Sequence, residues 1–283
     1  MNRFYFLLLS FFLSGCINYG QLTIITDLPK KLSENSGIAQ FDQESVWFIE
    51  DKGNKDIIYE VDFNGKIRKE FEVKNAKNND WEDLTSDKKG NLYIGDFGNN
   101  ANHRKNLVIY KLPNPDIEPG DKIEAERIEF QYPEQKEYPP KKKELVYDSE
   151  AFFYLQGHFY IFTKNRAHPF SGEVSIYRVP LKVGRHNATL LGTITTCEER
   201  NTCQVTSADI SPDGKTVVLL GYGKLWTLTD FTGDSFFEGK LTEIDLGVRT
   251  QLESVCFKDG TTLLLSDEVR DNEGGMLYSY SLK

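Results

Sequence analysis

Helical periodicity is hard to find in this 283-residue chain beyond its first sixteen residues. Apolar residues do not recur every three or four positions, which excludes a helical bundle. A basic surface is missing as well. The formal net charge is −9, and the one compact basic run, Lys141-Lys142-Lys143, stands in a Pro-rich stretch that reads as a solvated loop. Nucleic acid is therefore not an expected partner. The acidic balance suits solubility or cation binding. There is no nucleophile elbow, no phosphate-cradling glycine loop and no zinc-protease helix, so the commonest hydrolase and nucleotide-binding signatures are absent. Cysteine is scarce, at four residues. Their spacing does not make a zinc site.

The first residues carry a different signal. Met1-Asn2-Arg3 is followed by an apolar run from Phe4 to Leu13, broken only by Ser10. A basic residue and about ten apolar ones make the two leading regions of a secretory signal. The run falls short of the roughly 18 to 20 residues that a spanning helix needs. It ends Leu13-Ser14-Gly15-Cys16, which resembles the lipobox of bacterial lipoproteins. The expectation is a signal over residues 1–15, cleavage before Cys16, and a lipid on the Cys16 thiol. Residues 16–21 are then a short lipid-anchored tether, and multiple acyl chains give durable attachment without a span. The place is the bacterial cell envelope, on the periplasmic or extracellular side of a membrane. In such an oxidising compartment Cys197 and Cys203, which flank a polar loop, can close a short disulfide. Cys256, in an apolar run, reads as a buried free thiol.

What fills the rest is repetition. Short apolar runs alternate with Gly, Asn, Asp and Pro, the mark of strands and turns, and aromatics make up 13% of the chain, which favours strands. A pattern recurs five times: a small or acidic pair with an apolar residue, a turn, a strongly apolar strand, a loop, and a strand centred on an aromatic. The copies open at Ser36-Gly37-Ile38, Glu82-Asp83-Leu84, Glu150-Ala151-Phe152, Ala208-Asp209-Ile210 and Glu253-Ser254-Val255. Most have a further strand: Lys69 to Val73, Arg127 to Gln131, Leu190 to Ile194 and Leu241 to Leu246. The fifth lacks one, and Leu22 to Thr26 at the start has no copy of its own. Joining the two closes a ring and protects its edges. Residues 22–283 are thus expected to fold as one all-β domain, a β-propeller of four-stranded antiparallel blades. Five blades are expected. Six is the alternative, because the span between the second and third copies is long.

In a propeller the first strand of each blade lines the central channel, so equivalent positions meet around one axis. Three of the five residues two places before the first apolar position are Glu82, Glu150 and Glu253. Facing carboxylates call for a cation or shared protons. A hard cation such as Ca²⁺ takes carboxylate, amide and carbonyl oxygens, so these three are the expected metal ligands. The loops after the second strands crown the same mouth. They offer Asp96, Asn99, His103, Arg104, Lys164, Arg166 and Asp267 as ligand-binding candidates, with blade-to-blade ion pairing as the competing role. Tyr59, Tyr110, Tyr177, Trp226 and Tyr278 recur at one repeat position and are expected to pack between blades.

The stretches Asp80-Trp81-Glu82-Asp83-Leu84, Gly95-Asp96-Phe97-Gly98-Asn99-Asn100 and Asp148-Ser149-Glu150-Ala151 resemble secreted bacterial propeller lipoproteins. More distantly the pattern resembles SdiA-regulated and NHL-type propellers and the gluconolactonase and paraoxonase lactonases. By that resemblance Glu82, Glu150 and Glu253 correspond to the acids that hold a catalytic calcium at the channel mouth. The chain departs from the lactonases in blade count, and it shows no match to their catalytic base or histidine pair. The expected function is a lipid-anchored binding module, with calcium at the mouth and a protein or small-molecule ligand. The alternatives are a calcium-dependent hydrolase of lactones or phosphoesters, and a subunit of an envelope assembly.

Overall fold

The computed structural model describes residues 19–282. The expected signal 1–15 and Cys16 lie outside the described residues. The described residues form five antiparallel blades arranged in a ring. Blade I comprises Asn35–Ala39, Ser45–Glu50, Ile57–Asp62 and Ile67–Lys74, from the axis outward. Blade II comprises Trp81–Ser86, Leu92–Asp96, Leu107–Leu112 and Glu126–Gln131. Blade III comprises Asp148–Leu155, His158–Lys164, Glu173–Pro180 and Thr189–Thr195. Blade IV comprises Ser207–Ile210, Val217–Gly221, Lys224–Thr229 and Lys240–Asp245. Blade V takes Leu252–Phe257, Thr262–Asp267 and Met276–Ser281 from the end of the chain and Thr23–Asp27 from its beginning.

Burial explains why the second strands read as unbroken apolar runs. Ser45–Glu50 and Leu92–Asp96 are buried along their whole length, because a neighbouring blade covers each face. The outermost strand of blade IV, Lys240–Asp245, is exposed or half-buried throughout, and it is correspondingly polar. Five apolar clusters fill the ring, one between each pair of neighbouring blades. The recurrent aromatics are divided among them: Tyr110 between blades I and II, Tyr177 between II and III, Trp226 between III and IV, Tyr278 between IV and V, and Tyr59 between V and I. Each is almost fully buried, and burial of a large side chain stabilises by about 1.5–3 kcal/mol.

The long span that allowed for a sixth blade holds none. It contains the fourth strand of blade II, loops on either side, and Lys122–Glu124, which pairs in parallel with the outer strand of blade I. Gly184–Asn187 does the same for blade II. Each of these two chain passages thus covers the open edge of the blade before it.

The ring is closed by Thr23–Asp27, antiparallel to Met276–Ser281 with Thr23 opposite Ser279 and Asp27 opposite Met276. Leu22, just before this strand, is buried with Val218, Leu225 and Leu246 of blade IV. A chain starting at Leu28 would leave Met276–Ser281 as an exposed edge, which invites pairing with other chains. It is expected to melt at least roughly 5 °C lower and to self-associate on size-exclusion chromatography. A monomer with an unchanged melting temperature would show that the closing strand is dispensable.

Candidate functional site

In four blades the inner strand carries a β-bulge, and the residues skipped by the pairing are Ser36, Glu82, Glu150 and Glu253. An inserted residue re-aims its side chain and leaves it outside the ladder. The bulges therefore place the three Glu at one mouth of the channel. Blade IV departs from the alignment expected from sequence. Ser207 Oγ accepts the Val255 N–H at 3.0 Å, just as Asp83 Oδ2 accepts the Phe152 N–H at 3.1 Å. Ser207 is thus the counterpart of Asp83, and Thr206, not Ala208, stands in the ring of Ser36, Glu82, Glu150 and Glu253. Two more bonds agree: Ser36 Oγ donates to the Trp81 carbonyl at 3.0 Å and Thr206 Oγ1 to the Leu252 carbonyl at 2.8 Å. The first apolar residue of this copy is Ala208, too small to register as apolar in a sequence pattern.

Around the mouth runs a connected polar network. Lys164, 3% exposed, donates to Glu150 and lies 3.4 Å from Tyr222 Oη. Tyr222 Oη donates to Glu253 Oε1 at 2.7 Å. Gln251 Nε2 bridges Glu253 and Glu268, at 3.5 and 3.2 Å. On the other side Arg166 binds Asp148 Oδ2 and Glu150 Oε1, each at 2.6 Å, and reaches Asn100. Buried pairs of this kind cost several kcal/mol when one partner is lost.

Glu82 is placed differently. It is 9% exposed, and among the described residues no hydrogen bond or ion pair reaches its carboxylate. A Cβ on residue 98 would stand 1.9 Å from Glu82 Oε1 and 2.6 Å from Asp80 Oδ2. Gly98 is therefore what lets these two carboxylates lie side by side. Asp80 has a cation, Lys52 Nζ at 3.0 Å, whose side chain is half exposed.

The three Glu share a mouth without meeting at one point. Lys164 supplies Glu150 with the positive charge a bound ion would bring, and Glu253 is taken by Tyr222 and Gln251. Among the described residues no group of three or more His, Cys, Asp or Glu side chains is set to hold a metal ion.

The loop candidates divide. Lys164 and Arg166 belong to the network. Asp96, fully buried, binds Arg104 at 2.8 Å and accepts the Asp80 N–H at 3.0 Å. Arg104 also holds the Gly98 carbonyl at 2.7 Å. Asn99 offers its N–H to Asp148 Oδ1 at 2.6 Å and its side-chain oxygen to the Arg104 N–H. These three hold the Phe97–Arg104 loop in shape. His103 is exposed on that loop. Asp267, the blade V counterpart of Asp96, is fully buried and accepts bonds from Thr250, Met276 and Tyr278. Cys197 and Cys203 are joined at the edge of blades III and IV, and Cys256 is a buried free thiol. Sequence reasoning did not single out Asp148, Tyr222, Gln251, Lys52 or Asp80 as members of the site. Asp80 and Asp148 lie just outside the repeat's aligned positions, and Tyr222 sits in a turn with no counterpart in the other copies.

One residue deeper, Asp83 closes the axis. Its carboxylate accepts the N–H groups of Leu84, Phe152 and Ala208 and the Ser207 hydroxyl. These donors come from blades II, III and IV, so one side chain spans the channel.

No protein-family model matches the chain, and no curated protein sequence matches it. Solved structures do match. The PQQ-bound form of an aldose sugar dehydrogenase from Streptomyces coelicolor is 9% identical over 92% of this chain and 98% of that one, with a TM-score of 0.52. A streptogramin B lyase is 16% identical over 93% of this chain and 87% of its own, with a TM-score of 0.44. A luciferin-regenerating enzyme is 11% identical over 89% and 94%, with a TM-score of 0.48. All three are β-propellers, and the likeness is one of fold alone.

Acids outnumber bases at the mouth, and burial makes their charge costly. Burial and the neighbouring Glu34 push Glu50 up to about 7. Burial pushes Asp51 up to about 7 even with Lys52 nearby. Glu150 rises to about 7 and Glu268 to about 8, again chiefly by burial. Glu82 stands well above the usual carboxylate range, through burial and then the charges of Glu150, Asp80 and Asp148. Burial pulls Lys164 down, but Glu150 and Glu253 outweigh it and keep the ammonium charged. The folded chain therefore holds protons that the unfolded chain releases near pH 4. Their contribution to stability is full at low pH and is lost as pH rises through 7 to 8. Melting temperature is expected to rise by at least about 5 °C as pH is lowered from 8.5 to 5.5. A flat or falling profile in a thermal melt would show that the mouth carboxyls are already ionised in the folded protein.

Proposed function

We propose that this chain is a lipid-anchored binding module of the bacterial cell envelope, whose ligand brings positive charge to the carboxylates at the channel mouth. The observation that carries this reading is Glu82: nine-tenths buried, pressed against Asp80, and without a hydrogen bond or ion pair among the described residues. Its carboxyl oxygens keep some contact with solvent, while burial of the side chain and the neighbouring acids raise the cost of its charge, and a cation arriving at the mouth would relieve that cost. Calcium is the first candidate. Its donors are not the Glu triad as a set, since Glu150 is held by Lys164 and Arg166. Glu82 and Asp80, side by side over Gly98, are the pair best suited to share it, with carbonyl oxygens and water completing the shell that a hard cation takes.

The anchor reading rests on Leu13-Ser14-Gly15-Cys16. Only Ile17 to Leu22 separate Cys16 from the closing strand Thr23–Asp27. A lipid on Cys16 would hold the propeller close to the membrane, which favours a partner or ligand at that same membrane. Cys16→Ser is expected to move the protein from the membrane fraction to the soluble fraction of the producing cell. Continued membrane association of the variant would remove the lipid anchor from this reading.

Calcium is tested by melting the protein with chelator and then with added calcium. Wild type is expected to gain several degrees on calcium addition, and Glu82→Gln to gain none. No shift in wild type removes calcium as the ligand. A lactone and phosphoester panel, run with calcium, is expected to show no turnover. Turnover that Glu82→Gln abolishes would replace the binding module with a metal-dependent hydrolase.

A further inference from the structure

The far mouth of the channel, where the inner strands end, is unlike the acidic one. It opens into a basin of about 680 Å³. That volume is in the range of small-molecule sites, which are mostly apolar with a few placed polar groups. Phe41, Tyr154, Ile210 and Phe257 line it beside polar residues that include three carboxylates, Asp87, Asp209 and Asp213. Asp209 contributes to the fold through its Oδ2, which accepts the Phe257 N–H at 2.7 Å. The equivalent link in blade II is made by Thr85, whose hydroxyl accepts the Tyr154 N–H at 3.3 Å. A neutral hydroxyl therefore suffices there, and the negative charge of Asp209 is surplus to the link.

Among the described residues no ion pair neutralises Asp209. Its other bond comes from the Ile210 N–H at 2.8 Å. The charged groups on the rim do not supply a partner. Asp87 and Asp213 are engaged within their own turns, by Lys89, Asn91 and Tyr93 and by Ser211 and Lys215. Lys88 and Lys89 are exposed to solvent. Burial raises Asp209 to about 7, with the two backbone N–H groups pulling the other way, so it is ionised for the most part at pH 8. Gln40 lines the same basin, and its side-chain carbonyl oxygen accepts no hydrogen bond among the described residues.

We propose that this second mouth binds a small organic ammonium compound, its charged nitrogen against Asp209 and its apolar body against Phe41, Tyr154 and Phe257. An ammonium supplies the missing positive charge and carries N–H donors for Asp209. Aromatic walls favour a cation electrostatically as well as covering the apolar body. Metal ions fit less well, because the other two carboxylates of the lining, Asp87 and Asp213, are taken up by donors in their own turns.

The test is calorimetric titration of the full chain with phenethylammonium at pH 8, beside the neutral isostere phenethyl alcohol. Saturable binding of the amine is expected, with the alcohol at least tenfold weaker. Asp209→Thr, which copies the Thr85 solution and preserves the structural bond, is expected to weaken the amine at least tenfold while its melting curve stays close to wild type. Phe41→Leu, at a half-buried wall position, is expected to weaken it severalfold and gives a second reading if Asp209→Thr fails to fold. Glu82→Gln, at the opposite mouth, is expected to leave the affinity unchanged. No saturable binding by wild type would overturn the proposal. So would equal affinity for the alcohol, or a loss that follows Glu82→Gln and spares both basin variants.

Discussion

The ring depends on how its inner strands are tied at the axis, and that tie is the Asp83 carboxylate. Blades II and IV are not neighbours, yet Asp83 in the one accepts bonds from Ser207 and Ala208 in the other. Ser207 in turn accepts the Val255 N–H of blade V. Four of the five inner strands are thus joined through two side chains. Blade I joins by close approach: a Cβ on Gly37 would stand 2.6 Å from the Leu84 nitrogen and 2.7 Å from the Asp83 carbonyl carbon. Only glycine lets the two backbones come so near. Burial raises the Asp83 pKa well above its ordinary value, and the donated bonds offset part of that cost. Every aligned position on either side of this level inherits its height along the channel from it.

The acidic mouth is built directly on this tie. One residue before the Asp83 level, the bulges turn their side chains out of the ladder, so a constraint on the backbone fixes where Glu82, Glu150 and Glu253 stand. The electrostatic consequence is severe. Burial, not any single neighbour, is the largest influence on each of these acids, and Lys164 and Arg166 offset part of it, at Glu150 and Glu253 above all. A buried charge network is weak evidence for stability. The mouth is better understood as a region where stability is given up to keep a high density of acid in one place.

The repeat made most of the fold legible. Five copies, the alternation of apolar runs with turn residues, and the unpaired segment at the beginning of the chain led to blade number and closure. The aromatics at one repeat position could be read as inter-blade packing because their spacing is regular. The site was less legible, for identifiable reasons. Ala208 concealed the true alignment of blade IV, because a small residue carries little hydrophobic signal. Asp96, Asn99, Arg104 and Asp267 are polar and near the mouth, yet they are consumed in shaping loops and blades. Sequence shows that a polar residue is near a site but not which hydrogen bonds it makes before a ligand arrives. Tyr222 was invisible because it has no counterpart in other copies.

The ring at the bulge level also separates two roles that sequence merges. In blades I and IV the position is a hydroxyl, Ser36 or Thr206, and each donates to a carbonyl of the next blade. Among the described residues none of Glu82, Glu150 and Glu253 makes a bond of that kind to a carbonyl of the next blade. That carbonyl link therefore does not account for Glu82, Glu150 and Glu253, since the fold's own solution at this level is a small hydroxyl. Glu150 and Glu253 have found other partners in Lys164, Arg166 and Tyr222. Glu82 has none among the described residues, and the glycine beside it keeps the space open. The same comparison, of one repeat position across blades, marks Asp209 against Thr85 at the other mouth. In a repeat architecture the blades serve as internal controls: where one blade makes a structural link with a neutral group and another with a charge, the charge needs a different explanation.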